Sequence, residues 1–241
     1  DRSPSRGLGD VYKRQLCISM ETTGLPERLT IPHEVKLSEK AAAMYQQLER
    51  TMLLPFADGD VDAATAAILT NKLLQLAGGA VYDENGKAQI VHDQKLEVLD
   101  QLIEEANGQP VLVFYNYKHE LDRLQARYPQ AVHVKEENVV KRWNAKEIPI
   151  LLANPASAGH GLNLQFGGHI AIWYSPTWNL EFFQQANKRL HRRGQAETVL
   201  IHTLAAKGTI DERIYDIVLR DKEAGQNALL KAVKARIKEV T

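Results

Sequence analysis

The sequence predicts an α/β protein: a parallel sheet with helices on both faces, preceded by a helical region. Three observations predict it. From residue 111 onward, short apolar runs alternate with helical stretches. The runs VLVFY (111–115), IPILLA (148–153) and HIAIWY (169–174) are continuously apolar, as strands covered on both faces must be. Small and polar residues out of keeping with a core follow those runs directly, where open α/β sheets gather their ligands.

Taken in order, residues 1–15 (DRSPSRGLGDVYKRQ) have no apolar period and many breakers, and resemble translated adapter sequence. On this reading they are a non-native or disordered leader, and the natural protein continued upstream. Leu29 to Leu37 reads as extended, then a helix capped by Ser38 with Glu39 and Lys40 in its first turn. A second helix spans Asp62 to Ala77, stopped by Gly78 and Gly79. YDENGK (82–87) is a turn around Asn-Gly. A third helix, Asp93 to Ala106, carries Leu96, Leu99 and Ile103 at helical spacing before the break Asn107-Gly108-Gln109-Pro110. Beyond it come strand 111–115, helix 118–128, strand 131–134, helix 136–144, and strands 148–153, 169–174 and 199–204. The tail from Ile210 to Val240 reads as helical, with Leu229, Leu230, Val233, Ile237 and Val240 in an apolar stripe.

Composition narrows the function classes. With 30 basic and 30 acidic residues the net charge is zero, so any polyanion-binding surface must come from local clustering. The single cysteine, Cys17, excludes an internal disulfide and a cysteine-based zinc site, and fits a reducing cytoplasm. No run of 18 apolar residues is present, so no membrane partner is expected. His133, His169 and His202 lie in or beside apolar runs and read as structural rather than as metal ligands.

The chemistry concentrates in Trp178 to Gln195, WNLEFFQQANKRLHRRGQ. At 100° per residue, Gln185, Arg189 and Arg192 fall on one narrow face of a helix. Phe183, Ala186 and Leu190 fall on the other, toward a core, and Gly194 stands where a left-handed stop belongs. Two guanidiniums beside an amide suit phosphate, which arginine meets in bidentate geometry. A solvated basic helix end is the plainer reading of KRLHRR taken alone.

Gln, Arg and Arg at these offsets, within QANKRLHRRGQ, resemble motif VI of superfamily 2 helicases, in particular the Swi/Snf-type branch. SAGHGLNL (157–164) resembles motif V of the same branch, with His160 at a position that is frequently small or acidic there. VLVFYNYKHEL (111–121) resembles motif IV, and the turn at Trp178 resembles a WNP tract, here WNL. LPER followed by a Tyr-bearing helix and HDQKLEVLDQLI resembles the segment joining the two motor lobes.

The resemblance implies that residues 16–108 hold the end of a first lobe and a helical linker, and 109–241 a RecA-like C-terminal lobe. It implies Arg192 as an arginine finger, assisted by Arg189, with Gln185, Gly159 and Gly161 on the nucleotide side. Asn116, Lys118, Ser157, Asn163 and Trp178 would face DNA, expected to be duplex; Asn116 reads equally as a cap of the following helix. The sequence contains neither a GxxxxGK[ST] phosphate loop nor a DExx tetrad, so ATP and Mg²⁺ would need a first RecA-like lobe. Two other readings are a non-catalytic RecA-like binding module and half of a nucleotide-sugar transferase. The latter predicts acidic ribose-binding residues after a late strand, which SPTWNL lacks.

Overall fold

Eight strands and seven helices order the chain in a computed structural model that describes residues 24–53, 55, 62–157, 161–220 and 233. The leader at 1–15, Gly159, His160 and the tail beyond 220, apart from Val233, lie outside the described residues. In chain order the elements are β1 (Arg28–Val35), α1 (Glu39–Leu53), α2 (Ala63–Ala77), β2 (Ala80–Tyr82), β3 (Ala88–Ile90), α3 (Gln94–Glu105), β4 (Val111–Phe114) and α4 (Lys118–Arg127). Then come β5 (Val132–His133), α5 (Val139–Asn144), β6 (Ile150–Ala153), β7 (Ile170–Trp173), α6 (Leu180–Asn187), β8 (Val199–Ala206) and α7 (Ile210–Arg220).

Six strands pair in the order β1-β8-β7-β4-β6-β5, every pair parallel, while β2 and β3 form a separate antiparallel hairpin. All four residues of β4, β6 and β7 are buried, as continuous apolar runs require. Alternate residues serve opposite faces. Leu112, Phe114, Leu151 and Trp173 pack with Leu73 of α2, Trp143 of α5, Phe183 of α6 and Ile214 of α7. Val111, Val113, Leu152 and Ile172 pack with Leu96 and Leu99 of α3 and Leu124 of α4. Each such aliphatic side chain withdrawn from water contributes roughly 1.5–3 kcal/mol.

The segment ahead of residue 109 is part of this packing. Strand β1 pairs with β8 over its whole length, and α3 covers one face. Pro32 fits an edge strand, where an absent N–H costs no ladder bond. Helix α5 starts at Val139 rather than 136, because Asn138 takes a left-handed φ of 55°.

A charged pair closes the carboxyl edge. Lys95 Nζ of α3 lies 2.5 Å from Asp211 Oδ2 of α7, both side chains wholly inaccessible. The same Asp211 oxygen accepts the Ala206 N–H at the end of β8.

Burial also holds two histidines neutral. His92 and His119 are pushed down to about 4, chiefly by desolvation and then by neighbouring cations. A depressed histidine leaves stability intact above its unfolded value of 6.5, and stability drains as pH falls toward 4. Urea unfolding is expected to show a loss of about 1 kcal/mol per histidine between about pH 7 and pH 5.5. Equal stability at the two pH values would show that these rings do not titrate with unfolding.

Candidate functional site

Strands β4 and β7 are neighbours, yet α4 packs on one face of the sheet and α6 on the other. Diverging connections open a crevice at the carboxyl ends of such a pair. A cleft of about 190 Å³ lies there, lined by Asn116, Tyr117, Asn154, Pro176, Trp178 and Asn179 among others.

Its walls are braced by amides. Asn116 Nδ2 donates to the carbonyls of Pro176 at 2.7 Å and Ser175 at 3.3 Å, tying the β4 loop to the β7 loop. Asn154 Nδ2 donates to the carbonyls of Asn116 at 3.1 Å and Tyr115 at 3.3 Å, tying in the β6 loop. Beneath them Glu120 accepts from the N–H groups of Asn116 (2.8 Å) and Tyr117 (3.2 Å) and from Ser175 Oγ at 2.5 Å. Burial pushes the Glu120 carboxyl up, and these bonds oppose the shift. These bonds tie the loops after β4, β6 and β7 to one another around the cleft.

The arginines occupy a different place. Helix α6, capped by Asn179 accepting from Phe182 N–H at 3.0 Å, ends at Asn187. The helix expected to run on to a stop at Gly194 ends there instead, and Arg189 lies in the turn that follows and Arg192 in a bend beyond it. The single-face argument therefore does not hold beyond Asn187. The physical cause is long-range: Asn187 is buried with its side chain accepting from Trp173 Nε1 at 3.0 Å. Further on, Gln195 Nε2 donates to the Gly168 carbonyl at 2.9 Å, and His191 bonds the Pro26 carbonyl at 2.8 Å. Those carbonyls precede β7 and β1, so the arginines lie toward the amino-terminal edge of the sheet. Gly194 takes φ +92°, and a Cβ there would come within 2.8 Å of the Phe166 ring. The positive φ favours glycine there, and an added side chain would also have to push the exposed Phe166 ring aside.

Loop 154–168 joins the two places, running from the end of β6 to the start of β7. At its far end Arg192 Nη1 donates to Asn163 Oδ1, and the Asn163 carbonyl accepts from Asn144 Nδ2 at 2.9 Å. Arg189 is half-buried, and burial followed by the Arg192 charge lowers its pKa.

The structure thus brings Arg189, Arg192 and Asn163 together, and separately Asn116 and Trp178 at the crevice. Gln185 donates to Glu181 Oε1 at 2.7 Å, one turn back on its own helix. Lys118 is exposed and pairs with Asp122 at 2.9 Å. Ser157 donates its N–H to the Asn154 carbonyl at 3.0 Å, and Gly161 takes φ +62°. Among the described residues no group of three His, Cys, Asp or Glu side chains could hold a metal ion, and no helix is long and apolar enough to cross a membrane.

Sequence reasoning missed Glu120 and Asn144, and it marked the stretches beginning at Asn154 and Ser175 as ligand-side without giving those two residues a bracing role. For Glu120 a signal existed: it stands at the third position of α4, where a glutamate reaches back to the cap.

Residues 94–194 match the family model described as the helicase conserved C-terminal domain. The chain is 39% identical over 209 residues to protein p41 of Acyrthosiphon pisum secondary endosymbiont phage 1, covering 84% of this chain and 45% of that one. It is 33% identical over 148 residues to the chromatin-remodeling ATPase INO80 of Mycosarcoma maydis, covering 56% of this chain and 8% of INO80. It therefore spans less than half the length of these relatives. Among solved structures, the C-terminal part of the Fun30 ATPase domain superposes with TM-score 0.68 at 17% identity, covering 89% of this chain and 98% of that one. The Sulfolobus solfataricus SWI2/SNF2 ATPase core in complex with dsDNA gives 0.60 at 18% identity, covering 89% and 48%.

Proposed function

Because this chain carries the C-terminal RecA-like lobe of a superfamily 2, Snf2-type helicase, we propose that it is the second motor lobe of an ATP-driven translocase on duplex DNA. One observation carries the reading. Arg192 presents an exposed guanidinium held by a neutral amide, beside a second arginine whose protonated form already feels its charge.

That donor set fits the oxygens of a triphosphate and not a cation, so Mg²⁺ would be held by carboxylates of a first RecA-like lobe. ATP, when bound between the lobes, supplies the phosphoanhydride to be cleaved. Arg192 would neutralise charge on the terminal phosphate as the finger, with Arg189 assisting from its half-buried position and Gln185, Gly159 and Gly161 on the nucleotide side. The loop bearing Ser157 and the residues Lys118 and Trp178 would form the DNA track, whereas Asn163, expected there, would serve the nucleotide side, since its side chain accepts from Arg192. Asn116 would serve that track by bracing its walls, since its amide is spent on two carbonyls. Loop 154–168 would connect the two activities mechanically, since it runs from crevice to arginines.

The test is ATP hydrolysis by the full-length gene product with and without duplex DNA. Turnover that rises with duplex length supports a translocating motor. Turnover indifferent to DNA would remove the DNA track, and absence of turnover would leave a non-catalytic binding module as the reading.

A further inference from the structure

We infer that Asn163 orients the Arg192 guanidinium, fixing its direction while leaving its charge unspent; this rests on the reading of Arg192 as the finger. Asn163 is exposed, yet it stands on a fixed base. Its carbonyl is held by Asn144, the last residue of α5. Its neighbour Leu164 is buried and accepts the indole N–H of buried Trp143 at 2.8 Å. The side chain can therefore act as a fixed post for something mobile.

That something is Arg192, whose Nη1 donates to Asn163 Oδ1. An exposed arginine carries considerable rotamer entropy, which binding a phosphate would otherwise have to remove. One hydrogen bond to a fixed oxygen removes part of it in advance, and four of the five N–H donors remain for a bidentate contact. The chemical identity of the post matters as much as its position. A carboxylate would hold the arginine more tightly but would cancel its charge. Asn163 is neutral, and none of the ion pairs among the described residues includes Arg192. Arg189 adds a like charge that Arg192 feels, and Asn163 sets where the Arg192 guanidinium points.

Asn163 is thus a positioning residue, and its test is kinetic. In the full-length gene product Asn163→Ala is expected to lower kcat by about 10- to 100-fold with KM for ATP little changed. It should cost nothing further in an Arg192→Ala background. Asn163→Asp, equal in size, should be at least as harmful as Asn163→Ala, because a carboxylate would neutralise the guanidinium. A purely structural role reverses that order, with the isosteric aspartate the milder change, and would overturn the inference. So would an Asn163→Ala defect that persists fully in the Arg192→Ala background, or one confined to the DNA concentration needed for half-stimulation. If Arg192→Ala itself leaves kcat unchanged, the finger reading fails, and that arm alone identifies the failure. Guanidinium nitrogen NMR gives a readout independent of turnover. Arg192 should show hindered rotation that Asn163→Ala abolishes, and identical spectra in the two proteins would overturn the inference.

Discussion

Arg192→Ala is expected to reduce DNA-stimulated ATP turnover by about 10³-fold or more, with ATP binding retained. The size follows from where the charge is needed. Charge on the transferring phosphoryl group is stabilised inside a closed, water-poor interface, where a missing cation is not replaced by solvent. Arg192→Lys is expected to recover little. An ammonium offers a point charge rather than a planar fork, and its shorter reach loses the Asn163 contact that aims the arginine. The measurement is steady-state hydrolysis on duplex DNA, with nucleotide affinity read separately by a fluorescent analogue. Wild-type turnover from Arg192→Ala would remove the finger assignment. Loss of nucleotide binding along with turnover would instead make Arg192 a ground-state contact.

The second large effect is on stability. Lys95→Met leaves Asp211 as an uncompensated charge in a fully buried site, and removal of one partner from such a pair costs about 3–5 kcal/mol. The companion variant Asp211→Asn retains an oxygen for the Ala206 N–H while discarding the charge. The double variant Lys95→Met/Asp211→Asn should therefore be more stable than Lys95→Met alone, although it carries one more substitution. Urea unfolding of the four proteins forms a complete cycle. Additive losses would show that the two side chains do not depend on each other. The position of the pair explains why it matters: α3 and α7 cover opposite faces of the sheet, and their meeting at the carboxyl edge fastens the layers together.

Much of this fold is legible in the sequence because burial on both faces leaves a simple trace. VLVF, ILLA and IAIW are apolar throughout, so the strands of the sheet could be located without knowing their order. The same simplicity misleads at α6. Phe183, Ala186 and Leu190 keep helical spacing and all three are buried, yet the helix ends between the second and the third. The apolar period follows the core and continues through turns, whereas the helix ends where Trp173 of the preceding strand β7 bonds the Asn187 side chain. Asn116 shows a different ambiguity. A polar residue directly after a strand can face a ligand or brace a neighbouring loop, and only the arrangement of β4 beside β7 places two carbonyls within its reach. Asn163 was legible as a candidate within the loop after β6, but its contact with Arg192 depends on residues 29 positions apart in the chain meeting in the fold. Lys95 and Asp211 left no local signal at all.

The pairing of β1 with β8 has a consequence for how the chain is made. His33 and His202, 169 residues apart, share a hydrogen bond at 2.8 Å across that pair. On a ribosome, β1 emerges before β8 and waits for a partner synthesised roughly 10–30 seconds later, at ~5–20 residues per second. Throughout that interval an apolar-containing strand is free to pair wrongly. Pro32 removes one donor from its edge, and Arg28 and Glu34 place charge along it, which are the means by which unpaired strands resist aggregation. During synthesis β1 has no partner in the sheet until β8 is made, so the first strand of the sheet to be synthesised is among the last to be secured.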